Sequence, residues 1–178
     1  MVLMLPAAGR VAVPWKNGGG QTTEIAVEPP ASTFDTFDWR VSMAQVSTAG
    51  PFSLFPGIDR ELAVLDGCLR LGIEGGGTCT LTPDSDPVRF AGDVRVHGEP
   101  LAGSVTDLNV MMRRGRCRAR LERRQLPAPT ALEPGPGTTL VLAVSALLLD
   151  ADAQPFALPG AGNRKHDVGF ASSKISGE

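Results

Sequence analysis

The fold is decided by three segments: P-W-K-N-G-G-G-Q-T-T-E-I at residues 14–25, D-W-R-V-S-M-A-Q-V at 38–46 and G-P-F-S-L-F-P-G-I-D-R at 50–60. Each segment places Lys, Arg, Asn, Ser or Glu where a strand or a tight loop is otherwise apolar. Buried polar groups destabilise a protein unless they find hydrogen-bond partners. We therefore predict that these segments form the wall of a small-molecule pocket.

The second segment has a period of two, which is typical of a strand with two different faces. Arg40, Ser42 and Ala44 share one face. The other face carries the larger apolar side chains, namely Trp39, Val41 and Met43. If the face with Arg40 lines the pocket, the small side chains beside it leave room for a ligand.

Short strands separated by turns are predicted along most of the chain. Gly and Pro number 21 and 15 among 178 residues, which disfavours long helices. Apolar periodicity and turn residues predict strands at 22–28, 39–46, 60–65, 68–74, 78–82, 88–90, 105–112 and 154–158, with a strand pair or hairpin at 138–149. In the strand at 105–112, Asp107 and Asn109 share one face. Strands of this length at regular spacing favour an all-β sandwich or barrel.

The Pro-rich segment 127–137 has the composition of a linker, and we expect a second, smaller β unit after it. We predict a single domain over residues 1–160 that is made of two β halves. Residues 161–178 are polar and lack periodicity, so we predict a flexible tail there.

Composition and charge exclude several classes of protein. The net charge of −2 offers no general attraction for nucleic acid or for an anionic membrane. Cys68, Cys79 and Cys117 show no C-x-x-C spacing, which argues against a disulfide framework and fits a reducing compartment. The apolar run 140–149 is about half of the roughly 20 residues that a membrane helix needs. We find no pattern of a signal peptide and expect a cytoplasmic protein.

The chain resembles the HutD/Ves family in four segments, which are 14–25, 39–44 (W-R-V-S-M-A), 50–60 and 107–115 (D-L-N-V-M-M-R-R-G). The resemblance covers most of residues 11–150. It implies a cupin fold of the double, bicupin type within one chain. It also implies a role beside histidine utilisation, for which binding of an intermediate such as N-formylglutamate has been suggested.

Catalytic cupins hold a metal ion with two or three His and a Glu, but this chain has only two histidines, His97 and His166. His97 could pair with Glu99 on one strand face, yet a metal site needs several converging ligands. A surface or turn histidine is the more frequent case. We therefore predict no metal ligands and no cofactor.

Cationic and amide side chains remain as candidates for a ligand site. Arg40 and Arg60 can each hold a carboxylate with a bidentate pair of hydrogen bonds. Ser42 and Asn109 can donate or accept at short range. At the mouth of the pocket we expect Lys16 and Asn17, which precede three glycines.

Two structural alternatives compete with this site, and a catalytic role stays open for two carboxylates. Arg40 can instead pair with Glu24 or Asp107 across the sheet. Arg60 can cap the turn after Pro56 and Gly57. Glu24 and Asp107 are also candidates for a general base if burial raises their pKa.

Seven arginines between Arg113 and Arg124 form a basic cluster. Four of them alternate with other residues, so we interpret 113–124 as a strand with one solvated face; charge on such edges hinders pairing between sheets. The alternative is a binding surface for an acidic partner.

The sequence thus predicts an all-β bicupin with a metal-free pocket for a small carboxylate, lined by Lys16, Asn17, Glu24, Arg40, Ser42, Arg60 and Asn109. Two other classes stay open. One is an enzyme of isomerase, lyase or amide chemistry that uses Glu24 or His97 as base, and the other is a regulatory protein whose partner contacts the arginine segment. A homodimer is also left open.

Overall fold

The computed structural model describes residues 2–125, 137–144, 147–151, 154–158 and 169–174, with side chains for 5–125 and 137–144. The chain divides into two compact units, Val11–Arg124 and a smaller one that combines Met1–Arg10 with Gln125–Glu178. The regular structure of the described residues consists of β strands, which confirms the predicted all-β class. None of these residues belongs to a helix long and apolar enough to cross a membrane.

Fifteen strands make up the described structure. They are β1 (Val2–Leu5), β2 (Ala12–Pro14), β3 (Gly20–Glu28), β4 (Trp39–Val46), β5 (Gly50–Pro51), β6 (Ile58–Asp66), β7 (Leu69–Ile73), β8 (Gly77–Leu81), β9 (Val88–Ala91), β10 (Val96–Pro100), β11 (Val105–Arg113), β12 (Thr138–Ala143), β13 (Leu147–Ala151), β14 (Gln154–Leu158) and β15 (Gly169–Lys174). The strands predicted from sequence, apart from the one at 113–124, are confirmed within a few residues at their ends, whereas β1, β2, β5, β10 and β15 were not predicted.

The larger unit is one long hairpin that is folded over on itself. Its strands pair in a nested series, with β7 and β8 at the centre, followed by β6 with β9, β5 with β10 and β4 with β11. Folding the hairpin over also pairs β11 with β6 and β10 with β7. Two antiparallel sheets result, in the strand orders β2-β3-β4-β11-β6-β9 and β5-β10-β7-β8. This is the connectivity of a jelly roll, the architecture that cupins share.

An apolar core joins the facing surfaces of the two sheets. Leu62 and Val64 of β6 are buried with the apolar side chains of the smaller sheet, namely Leu69, Leu71, Leu81 and Val96. Because side chains alternate along a strand, the face of β6 that carries Leu62 and Val64 also carries Arg60. The inner surface of the six-stranded sheet is therefore apolar at one end of β6 and polar at the other.

Strand β11 is covered on both sides, and its first eight residues are buried. A strand in such a position usually has an almost continuous apolar sequence. Here Thr106, Asp107 and Asn109 interrupt it. Polar groups in this position need a partner or a function.

The outer surface of the six-stranded sheet is covered by the segment 117–124. The amide of Leu121 donates to the buried Glu61 carboxylate, and Arg123 Nη2 donates to the carbonyl oxygen of Val64 at 2.8 Å. These contacts fix the segment against the back of strand β6.

The arginine segment differs from its prediction in one respect. We expected a strand over 113–124, but β11 ends at Arg113 and the chain turns at Gly115, whose φ is +83°. The segment that follows is extended without ladder pairing, because it lies across the sheet instead of beside an edge strand. The predicted alternation persists, since Arg118 and Arg120 are exposed while Ala119 is half-buried.

The smaller unit is also built from antiparallel strands. Strand β15 pairs with both β1 and β12, and β13 pairs with β14. The two strands predicted at 138–149 are confirmed as β12 and β13, but a hairpin between them is wrong, because they pair with β15 and β14. An apolar run does not reveal which partner each strand takes. The predicted linker 127–137 lies outside the described residues except for Gly137. The predicted tail 161–178 contains β15, and its other residues lie outside them.

Candidate functional site

Polar side chains from four neighbouring strands meet on the inner surface of the six-stranded sheet. Across β3, β4 and β11 the register places Glu24, Ser42 and Asn109 in one row. The next row places Arg40 and Arg60 on either side of Met111. Five of the seven residues predicted for the ligand site thus share this surface, which we call the polar cluster; Asp107, one position further along β11, belongs to it as well.

Arg40 forms the open side of the polar cluster. Its Nε donates to Glu24 Oε2 at 2.8 Å, and its Nη1 donates to Ser42 Oγ at 3.3 Å. The Glu24 side chain is 46% exposed and that of Arg40 only 12%. The predicted alternative of a cross-sheet ion pair is therefore realised, and the carboxylate in it faces solvent.

Arg60 forms the closed side of the polar cluster and is 5% exposed. Its guanidinium lies 5.0 to 5.6 Å from the ring centroids of three aromatic residues, Phe52, Phe55 and Phe90. Its Nε donates to Asn109 Oδ1 over a long 3.4 Å. Its two terminal nitrogens form no hydrogen bond to a described residue, and they are not completely shielded from solvent. The alternative that Arg60 caps a turn is wrong, because the residue lies within β6.

Burial lowers the pKa of Arg60 to about 10; the negative charge of Asp107 opposes this shift and the positive charge of Arg40 adds to it. The guanidinium consequently stays charged at neutral pH. A buried cation with unpaired donors is costly. The site therefore favours a negatively charged partner.

Asp107 is 2% exposed, and no donor of the described residues reaches its carboxylate. Its neighbours in the sheet are Ala44 and Val64. Burial raises the pKa of Asp107 to about 7, although the positive charge of Arg60 acts in the opposite direction. The sequence suggested Asp107 as a base but not as a member of the ligand site; its place beside Asn109 in a buried strand was the available signal.

Two aromatic loops cover the polar cluster. Phe34, from the loop before β4, stacks on Phe55, from the loop before β6, with ring centroids 5.3 Å apart. Phe34 also lies over the Arg40 guanidinium at 4.9 Å. Sequence reasoning missed Phe34 and Phe55, because residues in loops show no periodicity that reveals their direction.

Adjacent arginines at the end of β11 hold these two loops. Arg113 donates to the carbonyl oxygens of Phe37 and Phe34 at 2.7 and 3.3 Å. The backbone amide of Arg114 donates to the carbonyl oxygen of Gly57 at 2.9 Å. The side chain of Arg114 pairs with Asp93, with its Nη2 at 2.6 Å from Asp93 Oδ2. Asp93 Oδ1 in turn accepts from the Gly57 amide at 2.8 Å. The first two members of the arginine segment thus support the cover of the site.

Lys16 and Asn17 are not brought to the polar cluster. Both are exposed in the turn between β2 and β3, where Asn17 Oδ1 accepts from the Gly19 amide at 3.0 Å. The turn comes before β3, whose first residue, Gly20, is four residues and about 13 Å along the strand from Glu24. No described contact supports their predicted place at the mouth.

The described residues contain no group of three or more His, Cys, Asp or Glu that could hold a metal ion. His97 lies exposed on β10 and lines a groove of about 380 Å³ on the smaller sheet, together with Arg95, Leu54 and Phe52. Of the groove-lining residues, Phe52 also contacts Arg60. His166 lies outside the described residues.

The sequence model of the HutD family matches residues 7–162. The chain belongs to the HutD family. It is 41% identical over 109 residues to Protein Ves of Citrobacter koseri, and 38% identical over 120 residues to a 21.2 kDa protein in the hutC 3′ region of Pseudomonas putida. The matched part of the chain spans 56% and 62% of the length of these relatives.

Two solved structures share the fold of this chain. A conserved protein from Pseudomonas aeruginosa PAO1 shares 30% sequence identity, with a TM-score of 0.74 over 99% of this chain and 89% of that one. HutD from Pseudomonas fluorescens SBW25 shares 23% identity, with a TM-score of 0.65 over 98% and 94% of the two chains. The family model and the relatives named Ves or encoded beside hutC confirm the resemblance to the HutD/Ves family.

Proposed function

We propose that the polar cluster binds a small carboxylate. The observation that carries this proposal is Arg60, a charged guanidinium that is 5% exposed and lies among aromatic rings, with its terminal N–H groups unpaired by any described residue. Hydrogen bonds between guanidinium and carboxylate are about twice as strong as neutral ones, and their paired geometry suits both partners. A ligand carboxylate would satisfy donors that the protein leaves without acceptors.

The other members of the cluster have distinct roles in this proposal. Arg40 supplies a second positive charge at the open side, and Ser42 and Asn109 offer polar atoms between the two guanidinium groups. Glu24 competes with the ligand for Arg40 because it already pairs with it at 2.8 Å. The Phe34–Phe55 pair covers the space above the ligand, over Arg40 and Arg60.

The relatives suggest the source of the carboxylate. The Pseudomonas putida relative is encoded in the hutC 3′ region, and the resemblance to HutD implies histidine utilisation. We extend the proposal to an intermediate of amino-acid breakdown such as N-formylglutamate, bound in the cytoplasm. The free thiols of Cys68, Cys79 and Cys117 support a reducing compartment. The β structure of the smaller unit supports a bicupin architecture.

A thermal-shift screen of small carboxylates, followed by calorimetric titration of the best ones, tests the proposal. A ligand at 100 times its dissociation constant should add roughly 2.7 kcal/mol of stability. Arg60→Met should abolish this response, because it removes the donors but keeps an apolar stem. The matched control is Arg70→Met, since Arg70 pairs with Glu99 on the exposed face of the smaller sheet. Equal responses in both variants, or no response of the wild type, would refute the site.

An enzyme remains the second candidate, and Asp107 favours it. A buried carboxyl whose pKa is about 7 is suited to accept and return a proton near neutral pH. It lies on the same inner surface as Arg40 and Arg60, beside the space assigned to the carboxylate. Incubating the wild type and Asp107→Asn with each bound carboxylate, with product analysis by NMR, decides between binding and turnover.

A further inference from the structure

The charges of the polar cluster balance when no ligand is bound. Two guanidinium groups, those of Arg40 and Arg60, face two carboxylates, those of Glu24 and Asp107. A bound carboxylate adds a third negative charge. An excess charge in a poorly solvated site is costly, so a proton that enters with the ligand would restore neutrality.

The two carboxylates differ in their capacity to hold such a proton. Glu24 is 46% exposed and keeps a direct ion pair with Arg40 at 2.8 Å. Asp107 is 2% exposed, and no hydrogen bond from a described donor compensates its charge. The positive charge of Arg60 favours the ionised form of Asp107, although Arg60 lies beyond ion-pair distance. Arg60 is also the guanidinium that the ligand is proposed to engage.

Among the described residues, Arg60 is the charged group that acts on Asp107 most directly. On β4 and β6 its direct neighbours are Ala44 and Val64. The charged residues that face it are Arg40 on β4, Arg60 on β6 and Glu24 on β3. The smaller sheet presents apolar side chains to this interior, namely Leu69, Leu71, Leu81 and Val96.

We propose that the site takes up one proton with each carboxylate that it binds, and that Asp107 receives this proton. The inference rests on the proposed function and adds its regulation. When the ligand neutralises Arg60, Asp107 loses the positive charge that supports its ionised form. Binding and protonation of Asp107 therefore favour each other.

The sign of the resulting pH dependence follows from linkage. Below the pKa of the free site, about 7, Asp107 already carries its proton, and the affinity is constant. Above it, binding must bring a proton from solution, so the affinity falls as pH rises. The slope approaches tenfold per pH unit until the pKa of the ligand-bound site is reached.

Calorimetric titration with N-formylglutamate at pH 8, in phosphate and in Tris, measures the proton uptake directly, since the two buffers release protons with different enthalpies. We expect close to one proton taken up per ligand and a dissociation constant that rises severalfold or more between pH 7 and pH 8. Asp107→Asn should bind without proton uptake and with an affinity independent of pH over this range.

The outcomes separate this inference from the function on which it rests. Tight binding by the wild type with no difference between buffers would overturn the proton coupling and leave the carboxylate site intact. Proton uptake that persists in Asp107→Asn would assign the proton to another group. No binding at any pH from 6 to 8, for N-formylglutamate or for glutarate, would overturn both. The wild-type measurement is decisive even if the variant does not fold.

Discussion

At the scale of single residues, Glu24 is the intrinsic competitor of a carboxylate ligand. Its side chain already holds Arg40 in place, yet it is nearly half exposed and can turn toward solvent at small cost. Arg60 has no such competitor among the described residues. The two arginines of the cluster therefore differ in availability, although they occupy equivalent positions on either side of β11.

Glu24→Gln should raise the affinity for small carboxylates severalfold, because it removes the negative charge that competes for Arg40. Arg40→Met should lower the affinity, and the double variant should resemble Arg40→Met, since Glu24 acts only through that arginine. Calorimetric titrations of the three variants test this. A Glu24→Gln variant that binds more weakly than the wild type would identify Glu24 as a direct ligand contact instead.

Asp107→Asn should change how stability depends on pH. The pKa of Asp107 is raised to about 7 in the folded protein, so the native state binds a proton that the unfolded chain has already released above pH 4. Stability is therefore lost as pH rises from about 4 to 7, by on the order of 3 kcal/mol. Asparagine stays neutral, so the variant should gain relative to the wild type between pH 5 and pH 8.

Urea unfolding of both proteins at pH 5 and pH 8 measures this difference. The raised pKa of Asp107 already includes the effect of its attraction to Arg60. A gain that is larger at pH 5 than at pH 8 would show that the Asp107 carboxylate is stabilised by its surroundings and not destabilised.

The sequence predicted residues on strands better than residues in loops. Arg40 and Ser42 were predicted correctly to share one face of their strand, because alternation along a strand fixes the direction of each side chain. The register adds Arg60 and Asn109 to the same surface. The positions of Phe34 and Phe55 depend on the hydrogen bonds of two loops, which no local pattern encodes. Whether the predicted residues bind a ligand stays a prediction.

At the scale of structural elements, the end of β11 links the two loops that cover the site. Arg113 holds the loop that carries Phe34, and Arg114 holds the loop that carries Phe55. Arg113 is the last residue of the buried strand β11, and Arg114 follows it directly. Both loops are therefore held by the end of one rigid strand. Their aromatic residues can then meet in a defined stack over Arg40 and Arg60.

Arg114→Gln should loosen the loop that carries Phe55. The loss of the Arg114 side chain leaves Asp93 free to move, and the Gly57 amide then loses the carboxylate that holds it at 2.8 Å. Hydrogen exchange of the Gly57 amide, measured by NMR, should become severalfold faster. The matched control is Arg89→Gln. Arg89 and Arg114 both pair with Asp59, but Arg89 makes no described contact with Gly57 or Asp93. Equal acceleration in both variants would contradict the role of Arg114.

Charge reversal of Arg116 and Arg118 to Glu should leave the protein folded, with a change in stability of about 0.5 kcal/mol or less. Both residues are exposed, and Arg116 makes only a surface ion pair with Asp38 at 3.2 Å. Glu61→Ala is the contrasting variant and should cost about 1–3 kcal/mol, because the Leu121 amide loses its buried acceptor. Urea unfolding distinguishes the two. A large loss in the double arginine variant would show that the exposed face has a structural partner.

Two elements show where sequence patterns were insufficient. Strands β5 and β10 were not predicted, because β5 has two residues and β10 contains both a glycine and a proline. The segment 117–124 has the alternation of a strand without its pairing, since one side of it packs on the sheet and the other faces solvent. A sequence period of two shows that the two sides of an extended segment lie in different environments. Hydrogen-bonded pairing in a sheet is one of several arrangements that produce such environments.

At the scale of the whole molecule, the two units and the jelly-roll connectivity of the larger one follow from contacts that are remote in sequence. Strand lengths and the all-β class could be predicted because they depend on local patterns. The strand order could not, because it depends on which of many antiparallel pairings buries the most apolar surface. The resemblance to the HutD/Ves family supplied the cupin architecture that periodicity alone left open.

The nested pairing of strands also implies an order of events when the larger unit folds. The β7–β8 hairpin closes a short loop, whereas β4 and β11 come together only when more than fifty residues between them have been organised. Closing short loops first lowers the entropic cost of each later step. Strand pairing should therefore begin with β7 and β8 and then extend to β6 with β9, β5 with β10 and finally β4 with β11.

Leu71→Ala should mainly slow folding, and Val110→Ala should mainly speed unfolding, in stopped-flow measurements. Since the polar cluster spans β3, β4, β11 and β6, a carboxylate would recognise only chains that have completed the last step.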